Sequence, residues 1–155
     1  MTGNRKPDGG TMLQIKDIMT TDVFFLKQSD SLKTARSMMT LARIRHIPIV
    51  SDSVIFSGLV THRDILGATI SKFAEVDKTV QDEIDAGIPV SEIMRHDVLT
   101  VASTTLVREA AKMLLENKYG CLPVVDQGKL KGIVTEADFL KLTIKLLEQV
   151  GKIEM

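Results

Sequence analysis

The apolar and polar residues of this chain follow a pattern that predicts five elements in its first half. A short apolar run at residues 23–26 is typical of a strand. Over residues 32–42 apolar side chains recur every three or four positions, which predicts an amphipathic helix, and the polar residues 29–31 supply its N-cap. Residues 47–50 and 54–61 are two further strands, and a second helix follows them. The predicted order is therefore β-α-β-β-α.

The second half of the chain repeats this order. Strands are predicted at residues 98–101, 122–125 and 130–135, and helices at 107–115 and at 136–148. Two copies of one β-α-β-β-α unit therefore account for most of the sequence.

Three segments lie outside the two copies. Residues 71–89 carry apolar side chains at helical spacing and predict a connecting helix. Residues 1–12 are polar and contain Gly and Pro, so we expect a flexible leader, and residues 149–155 form a tail. Within the second copy, Ser-Thr-Thr at residues 103–105 is expected to cap the helix that follows.

The duplication is clearest in one heptapeptide. Gly-Leu-Val-Thr-His-Arg-Asp at residues 58–64 matches Gly-Ile-Val-Thr-Glu-Ala-Asp at residues 132–138. Upstream, Asp-Ile-Met at residues 17–19 matches Glu-Ile-Met at residues 92–94. The strand after the first helix also carries a proline in each copy. Matches spread over this length indicate an internal repeat rather than chance.

The repeat predicts the fold class. We assign residues 13–70 to the first repeat and residues 90–148 to the second, in an α+β fold. One β-α-β-β-α repeat is too small to bury a core alone, so we expect the two to pack sheet against sheet with pseudo-twofold symmetry. The final helix is apolar on more than one face, which favours a homodimer.

Composition and charge narrow the class of function. Of 155 residues, 44% are hydrophobic and 26% are charged, which is typical of globular proteins. Twenty Lys and Arg residues balance twenty Asp and Glu, and aromatic residues make up 4%, so we expect no nucleic-acid partner. The single cysteine, Cys121, and the lack of a long apolar run favour a cytoplasmic protein without a membrane partner.

Patterns for catalysis and metal binding are missing from the sequence. His46, His62 and His96 are scattered, and the lone cysteine has no second thiol with which to form a metal site. Neither a Walker loop nor a dinucleotide fingerprint occurs. We therefore expect no enzymatic activity and no required cofactor.

The repeated heptapeptide, the Ile-Met openings and the proline-bearing strands resemble the CBS domain, named after cystathionine β-synthase. Two in tandem resemble a Bateman module, over about residues 13–148. The resemblance implies that clefts between the repeats bind adenosine-containing ligands, and AMP, ADP or ATP are the leading candidates. The residues that it implies are Leu59, Thr61, His62, Arg63, Asp64, Met94 and Leu99 for one cleft, and Ile133, Thr135, Asp138, Met19, Thr20, Phe24, Ile44, Arg45, His46, Ile47 and Pro48 for the other.

General chemistry supports these roles. A carboxylate one turn into a helix, such as Asp64 or Asp138, can accept hydrogen bonds from both hydroxyls of a ribose. The threonine at the start of each helix can meet a phosphate oxygen beside the positive helix end. His62 and Arg63 favour an anionic phosphate in the first copy, whereas Glu136 disfavours one in the second.

Alternatives stay open. Asp64 and Asp138 can act as helix caps alone, and Cys121 as a small core residue. Because Glu136 tolerates a sulfonium better than a phosphate, S-adenosylmethionine or a dinucleotide is an alternative ligand. A purely structural module, with empty clefts and helices that mediate dimerisation or docking, is the third hypothesis. The first remains a nucleotide sensor whose repeats or dimer rearrange on binding and so regulate a partner protein.

Overall fold

The computed structural model describes residues 13–68, 77–117 and 120–154. The predicted leader at residues 1–12 and the beginning of the predicted connecting helix, residues 71–76, lie outside the described residues.

The chain divides into two compact units that do not coincide with the two sequence repeats. The middle unit is Phe24–Val98, and the terminal unit consists of the described residues of Met1–Val23 and Leu99–Met155. The opening segment of the first repeat therefore belongs to the terminal unit, and the opening segment of the second repeat belongs to the middle unit. Each unit thus combines the bulk of one repeat with the opening segment of the other.

The described residues of the middle unit form three strands and three α-helices. In chain order they are β1 (Leu26–Lys27), α1 (Leu32–Ala42), β2 (His46–Val50), β3 (Phe56–Thr61), α2 (His62–Ala68) and α3 (Lys78–Ala86). The strands form one sheet in the order β1-β2-β3, with β1 parallel to β2 and β2 antiparallel to β3. A 3-10 turn, Val90–Glu92, opens the second repeat.

The core of the middle unit lies between the sheet and helix α1. Helix α1 begins where Ser31 accepts a hydrogen bond from the Thr34 amide at 3.1 Å, as the sequence predicts. The helix ends at Arg43, whose left-handed backbone returns its N–H to the carbonyl of Met39. The buried residues of this core are Leu26, Leu32, Ala35, Met39, Ile47, Ile49, Val60, Ile65, Val90 and Met94.

Helix α3 is joined to α1 through a buried carboxylate. Asp85 is fully buried, and its Oδ2 accepts a hydrogen bond from Nε of Arg36 at 2.7 Å. Its Oδ1 accepts a second bond from Nε2 of Gln81, one turn earlier on α3, also at 2.7 Å. Each carboxylate oxygen therefore has a donor, which is the condition under which a buried charge is tolerated.

The terminal unit contains a 3-10 turn (Ile15–Asp17), helix α4 (Val107–Glu116), strands β4 (Cys121–Asp126) and β5 (Lys129–Thr135), and helix α5 (Glu136–Glu154). Strands β4 and β5 are antiparallel. Gln127 and Gly128, both with positive φ, form the two-residue turn between them. The buried core is Ile15, Val101, Val107, Ala110, Leu114, Leu122, Val124 and Val134.

The first predicted strand of each repeat is shorter than expected. In the middle unit, pairing is limited to β1, and the aromatic rings of Phe24 and Phe25 remain 52% and 41% exposed. In the terminal unit, Val101 alone bridges Val124 in parallel. The apolar runs at residues 23–26 and 98–101 therefore contain the residues that pair with the neighbouring strand. The paired part is shorter than the run, because most side chains of each run lie outside the core.

Two predictions about the helices of the terminal unit are wrong. Residues 103–105 do not cap α4, because its N-cap is Leu106 and the Thr105 hydroxyl accepts from the Ala102 amide instead, at 3.1 Å. The final helix does not end near residue 148, since α5 continues to Glu154. No helix in the described ranges has both the length and the apolar character needed to cross a membrane.

Candidate functional site

In each unit an extended opening segment lies directly against the last strand of the sheet. In the middle unit, Leu59 and Arg95 exchange two backbone hydrogen bonds, of 3.0 and 2.8 Å. In the terminal unit, Thr20 and Ile133 exchange two, both of 2.9 Å. These contacts place Arg95 and Thr20 at matching positions, each immediately after the Ile-Met pair of its repeat.

The glycine that begins each heptapeptide allows this close approach. A Cβ on Gly58 would lie 2.6 Å from the carbonyl oxygen of Arg95, and one on Gly132 would lie 2.7 Å from that of Thr20. Separations below 3 Å are not tolerated between such atoms, so only glycine fits at these two positions. The glycine of the motif is thus explained by packing.

The threonine and aspartate of the first heptapeptide form a reciprocal cap at the start of α2. The amide and the hydroxyl of Thr61 each donate to Oδ2 of Asp64 at 2.9 Å, and the Asp64 amide donates back to Thr61 Oγ1 at 3.2 Å. This is the capping-box arrangement with aspartate as the acidic residue. It holds the Asp64 carboxylate in one orientation, with its side chain 10% exposed.

The second heptapeptide forms the threonine-to-aspartate half of this arrangement at the start of α5. Oδ2 of Asp138 accepts from the Thr135 amide at 2.9 Å and from the Thr135 hydroxyl at 3.5 Å. Asp138 is 7% exposed. Oδ2 of each aspartate therefore takes part in a helix cap, as the alternative interpretation expects for these residues.

The Oδ1 atoms distinguish the two units. Oδ1 of Asp64 forms an ion pair with Nη2 of Arg95 at 2.9 Å. Oδ1 of Asp138 accepts instead from the hydroxyl of Thr20 at 3.2 Å. Thr20 was predicted by name among the binding residues, whereas Arg95 was covered by the predicted segment 94–99 without being singled out, although its position in the repeat matches that of Thr20.

A basic pocket lies in the middle unit beside α1 and the start of α2. Its volume is about 340 Å³. The backbone bond from the His62 amide to the Arg45 carbonyl, at 2.8 Å, holds two of its basic residues next to each other. The lining combines three arginines and a histidine with apolar side chains: Arg36, Met39, Thr40, Arg43, Ile44, Arg45, His62 and Ile65.

The other predicted binding residues fall into three environments. Leu59 and Met94 are buried beside the contact between β3 and the opening segment, with Met94 Sδ 3.1 Å from a Cβ placed on Gly58. His46, Ile47 and Pro48 belong to β2, where Ile47 is a fully buried core residue. Arg63, Phe24 and Leu99 are exposed.

The structure therefore brings together part of each predicted set. Leu59, Thr61, Asp64 and Met94 lie in the middle unit, and Met19, Thr20, Ile133, Thr135 and Asp138 lie in the terminal unit. Phe24 and the segment from Ile44 to Pro48 belong to the middle unit, and Leu99 belongs to the terminal unit. Their assignment to a cleft with residues of the other unit stays a prediction.

The thiol of Cys121 is fully buried at the start of β4. Burial raises its pKa to about 12, because the apolar surroundings disfavour the thiolate. The residue is the small core side chain that one interpretation of the sequence expected. Across the described ranges, no three His, Cys, Asp or Glu side chains are grouped so that they could hold a metal ion.

Comparison with known proteins shows the family. The model of the CBS domain matches residues 15–71 and 90–145, which is most of the chain. The chain belongs to the CBS domain family. It carries two CBS domains in tandem, the arrangement called a CBS pair or Bateman module, in agreement with the sequence resemblance. The α+β class and the two repeats also agree with the sequence prediction.

Two relatives illustrate the match, one of them through two solved structures. A CBS domain-containing protein of Dictyostelium discoideum is 33% identical over 137 residues, which cover 88% of this chain and 94% of that protein. The crystal structure of the CBS-pair protein CBSX2 from Arabidopsis thaliana has a TM-score of 0.78 at 29% identity and covers 89% of this chain and 99% of its own. A structure of CBSX2 in complex with AMP has a TM-score of 0.71 at 28% identity, over 86% and 97% of the two chains.

Proposed function

We propose that this CBS pair is a non-enzymatic sensor that binds an adenine nucleotide, AMP, ADP or ATP, and regulates a partner protein in the cytoplasm. The observation that carries the proposal is the pair of aspartates held at the same place in both repeats, each with Oδ2 fixed by its own cap. The AMP complex of CBSX2 shows that a related CBS pair takes such a ligand.

The aspartates are suited to a ribose. A carboxylate offers about four acceptor positions, and in each unit the cap occupies Oδ2 while Oδ1 faces the opening segment. Vicinal hydroxyls can donate to a fixed carboxylate in the charge-assisted bonds that are the stronger class of hydrogen bond. Because the cap has already fixed the orientation of the carboxylate, little side-chain entropy remains to be lost on binding.

The basic pocket favours an anion in the middle unit. Arg43 and Arg45 are exposed and line the pocket together with His62, so a phosphate there would meet several donors. Ile44, the partly exposed apolar residue of the lining, offers contact area of the kind that a purine ring uses. A nucleotide therefore matches the middle unit better than a nucleoside does.

A second ligand class matches the terminal unit. Its aspartate is contacted by the neutral Thr20, and Glu136 is exposed at the start of α5. A carboxylate near the site repels phosphate and tolerates a sulfonium, so S-adenosylmethionine or a dinucleotide remains the alternative ligand there.

The test is nucleotide binding to single-site variants. We expect Asp64→Asn to weaken AMP binding by about 10- to 100-fold, because each hydrogen bond to a charged group contributes about 1.5–3 kcal/mol. The dissociation constant is measured by isothermal titration calorimetry with AMP, ADP, ATP, S-adenosylmethionine and a GMP control. Asp52→Asn, with a 96% exposed side chain, is the matched control and should bind as the wild type does.

Two results would contradict the proposal. The first is a wild-type protein that binds none of these adenosine compounds, which would favour the structural module with empty clefts. The second is AMP binding that neither Asp64→Asn nor Asp138→Asn weakens, provided that both variants unfold in one cooperative transition.

We further propose that the sensor is a homodimer that uses helix α5. Several apolar side chains of this helix are more than half exposed, among them Leu140 at 64%, Ile144 at 55% and Leu147 at 62%. These three lie at positions i, i+4 and i+7, on one face of the helix. Covering such a face with a second copy removes apolar surface from water.

Dimerisation predicts a specific loss. Leu147→Glu should place a charge in the proposed interface and shift the protein from dimer to monomer by analytical ultracentrifugation at micromolar concentration. Gln149→Glu, an exposed change on the same helix, should leave the dimer intact. A wild-type monomer, or a Leu147→Glu protein that stays dimeric, would contradict a dimer formed through this face of α5.

A further inference from the structure

Arg95 and Thr20 have the same backbone setting but different chemistry. Each follows the Ile-Met pair of its repeat, and each exchanges two backbone bonds with the last strand of its sheet. The side chain of each reaches Oδ1 of the capped aspartate, Arg95 at 2.9 Å and Thr20 at 3.2 Å. One aspartate is therefore paired with a cation and the other with a neutral hydroxyl.

We propose that Arg95 is a specificity-determining residue that makes the Asp64 site selective for ligands carrying an anionic group beside a vicinal diol. The inference rests on the proposed function, since it concerns how the same site selects among adenosine compounds. It assigns to Arg95 the discrimination between phosphorylated and unphosphorylated ligands.

A ligand diol has to compete with Arg95 for Oδ1 of Asp64. Oδ2 of Asp64 already accepts from both the amide and the hydroxyl of Thr61. A diol must therefore bind at Oδ1, where Arg95 is the existing partner. The ligand has either to share that oxygen with the guanidinium or to displace it.

Displacing the Arg95 guanidinium from Asp64 costs free energy, because it breaks an ion pair. The Asp64 side chain is only 10% exposed and the Arg95 side chain is 39% exposed, so the pair is partly shielded from solvent. A neutral nucleoside replaces the cation with hydroxyls and leaves the guanidinium without its anion. A nucleotide brings a phosphate that can pair with the displaced guanidinium in two parallel hydrogen bonds. Only an anionic ligand therefore replaces the ion pair between Arg95 and Asp64 with a new ion pair to Arg95.

The terminal unit has no such ion pair at its aspartate, because Thr20 takes the place of Arg95 there. Thr20 is neutral, so moving it from Asp138 separates no opposite charges. The neighbouring Glu136 adds a negative charge rather than a positive one. The Asp138 site should consequently accept neutral or cationic adenosine compounds at least as well as nucleotides.

A reciprocal exchange of the two residues tests the inference. In an Asp138→Asn background, which leaves Asp64 as the intact aspartate, Arg95→Thr should reduce the ratio of adenosine Kd to AMP Kd by about tenfold or more. In an Asp64→Asn background, Thr20→Arg should raise the same ratio. Arg95→Lys keeps the charge but loses the two parallel donors of the guanidinium, so it should retain part of the selectivity, whereas Arg95→Thr should lose most of it. Each Kd is measured by calorimetry at low and at high salt, and the selectivity of the wild-type site should decrease with salt.

The outcomes separate this inference from the proposed function. If AMP binds in an Asp64-dependent manner but Arg95→Thr changes the two Kd values by the same factor, Arg95 has a structural role only and the inference is wrong. If the wild-type protein binds neither AMP nor adenosine, the proposed function fails and the inference fails with it. An unchanged ratio of adenosine Kd to AMP Kd in the Thr20→Arg variant would also overturn the inference. This result does not depend on whether Arg95→Thr folds.

Discussion

Asp85→Ala should destabilise the protein by about 3–5 kcal/mol, because it removes one partner of a buried ion pair. Asp85 is fully buried, and its two oxygens accept from Arg36 and Gln81 at 2.7 Å. Its loss leaves the Arg36 guanidinium, whose side chain is 29% exposed, without the carboxylate that balances it. The melting temperature should fall by about 10 °C, measured by circular dichroism or calorimetry.

Two controls make this expectation specific. Glu83→Ala removes an exposed carboxylate from the same helix and should change the melting temperature by only a degree or two. Replacing both partners, Arg36→Met with Asp85→Leu, should recover much of the lost stability, since apolar residues can substitute for a buried pair. An Asp85→Ala protein that melts like the wild type would mean that α3 contributes little to the stability of the middle unit.

The buried role of Asp85 could not be predicted from the sequence. Helix α3 carries Asp82, Glu83 and Asp85 within four residues, and nothing in their pattern identifies which one is buried. The partner, Arg36, is 49 positions away on α1. Local periodicity predicts which helices form, but it does not predict which long-range polar pair joins them.

Duplication made two members of each candidate site stand out. Because the heptapeptide occurs twice, the threonine and aspartate of each copy were predicted as a linked pair, and in both copies Oδ2 of the aspartate accepts from the amide and the hydroxyl of the threonine. The repeat places Arg95 and Thr20 at matching positions, but it does not show by itself that their side chains reach Oδ1 of the two aspartates. Arg95 lies 31 positions beyond Asp64, and only the contact of the opening segment with β3 brings the two side chains together.

The ends of the helices were harder to predict from the sequence than the helices themselves, because tertiary contacts also decide where a helix begins. The N-cap of α4 was expected among residues 103–105, which are all good capping types, yet Thr105 bonds to Ala102 instead. The first N–H of α4, from Val107, donates to the carbonyl of Leu13, far away in the chain. A tertiary contact thus satisfies a donor that local rules assign to a cap.

Gly132→Ala should destabilise the protein by about 3 kcal/mol and weaken ligand binding at the Asp138 site by tenfold or more. The added Cβ would lie 2.7 Å from the Thr20 carbonyl oxygen and 2.9 Å from the Met19 sulfur. The Thr20 backbone is itself held to Ile133 by two hydrogen bonds, so it cannot move without breaking them. The cost therefore falls at the upper end of the range of about 1–3 kcal/mol for overpacking.

The same change in the other repeat should have the same effect on the other site. In Gly58→Ala the Cβ would meet the Arg95 carbonyl oxygen at 2.6 Å, and displacement of Arg95 would also disturb its ion pair with Asp64. Chemical denaturation gives the free energy of unfolding, and calorimetric titration with AMP gives the binding constant of each variant.

Gly67→Ala is the matched control and should change stability in the opposite direction. Gly67 lies inside α2, and a Cβ there has no described atom within 4 Å, so alanine should stabilise the helix by about 0.5–1 kcal/mol. If Gly58→Ala and Gly132→Ala are tolerated as well as Gly67→Ala, the opening segments do not need to touch the strands. The glycine of the repeated motif would then require another explanation than close packing, and the positions of Arg95 and Thr20 beside the two aspartates would no longer depend on it.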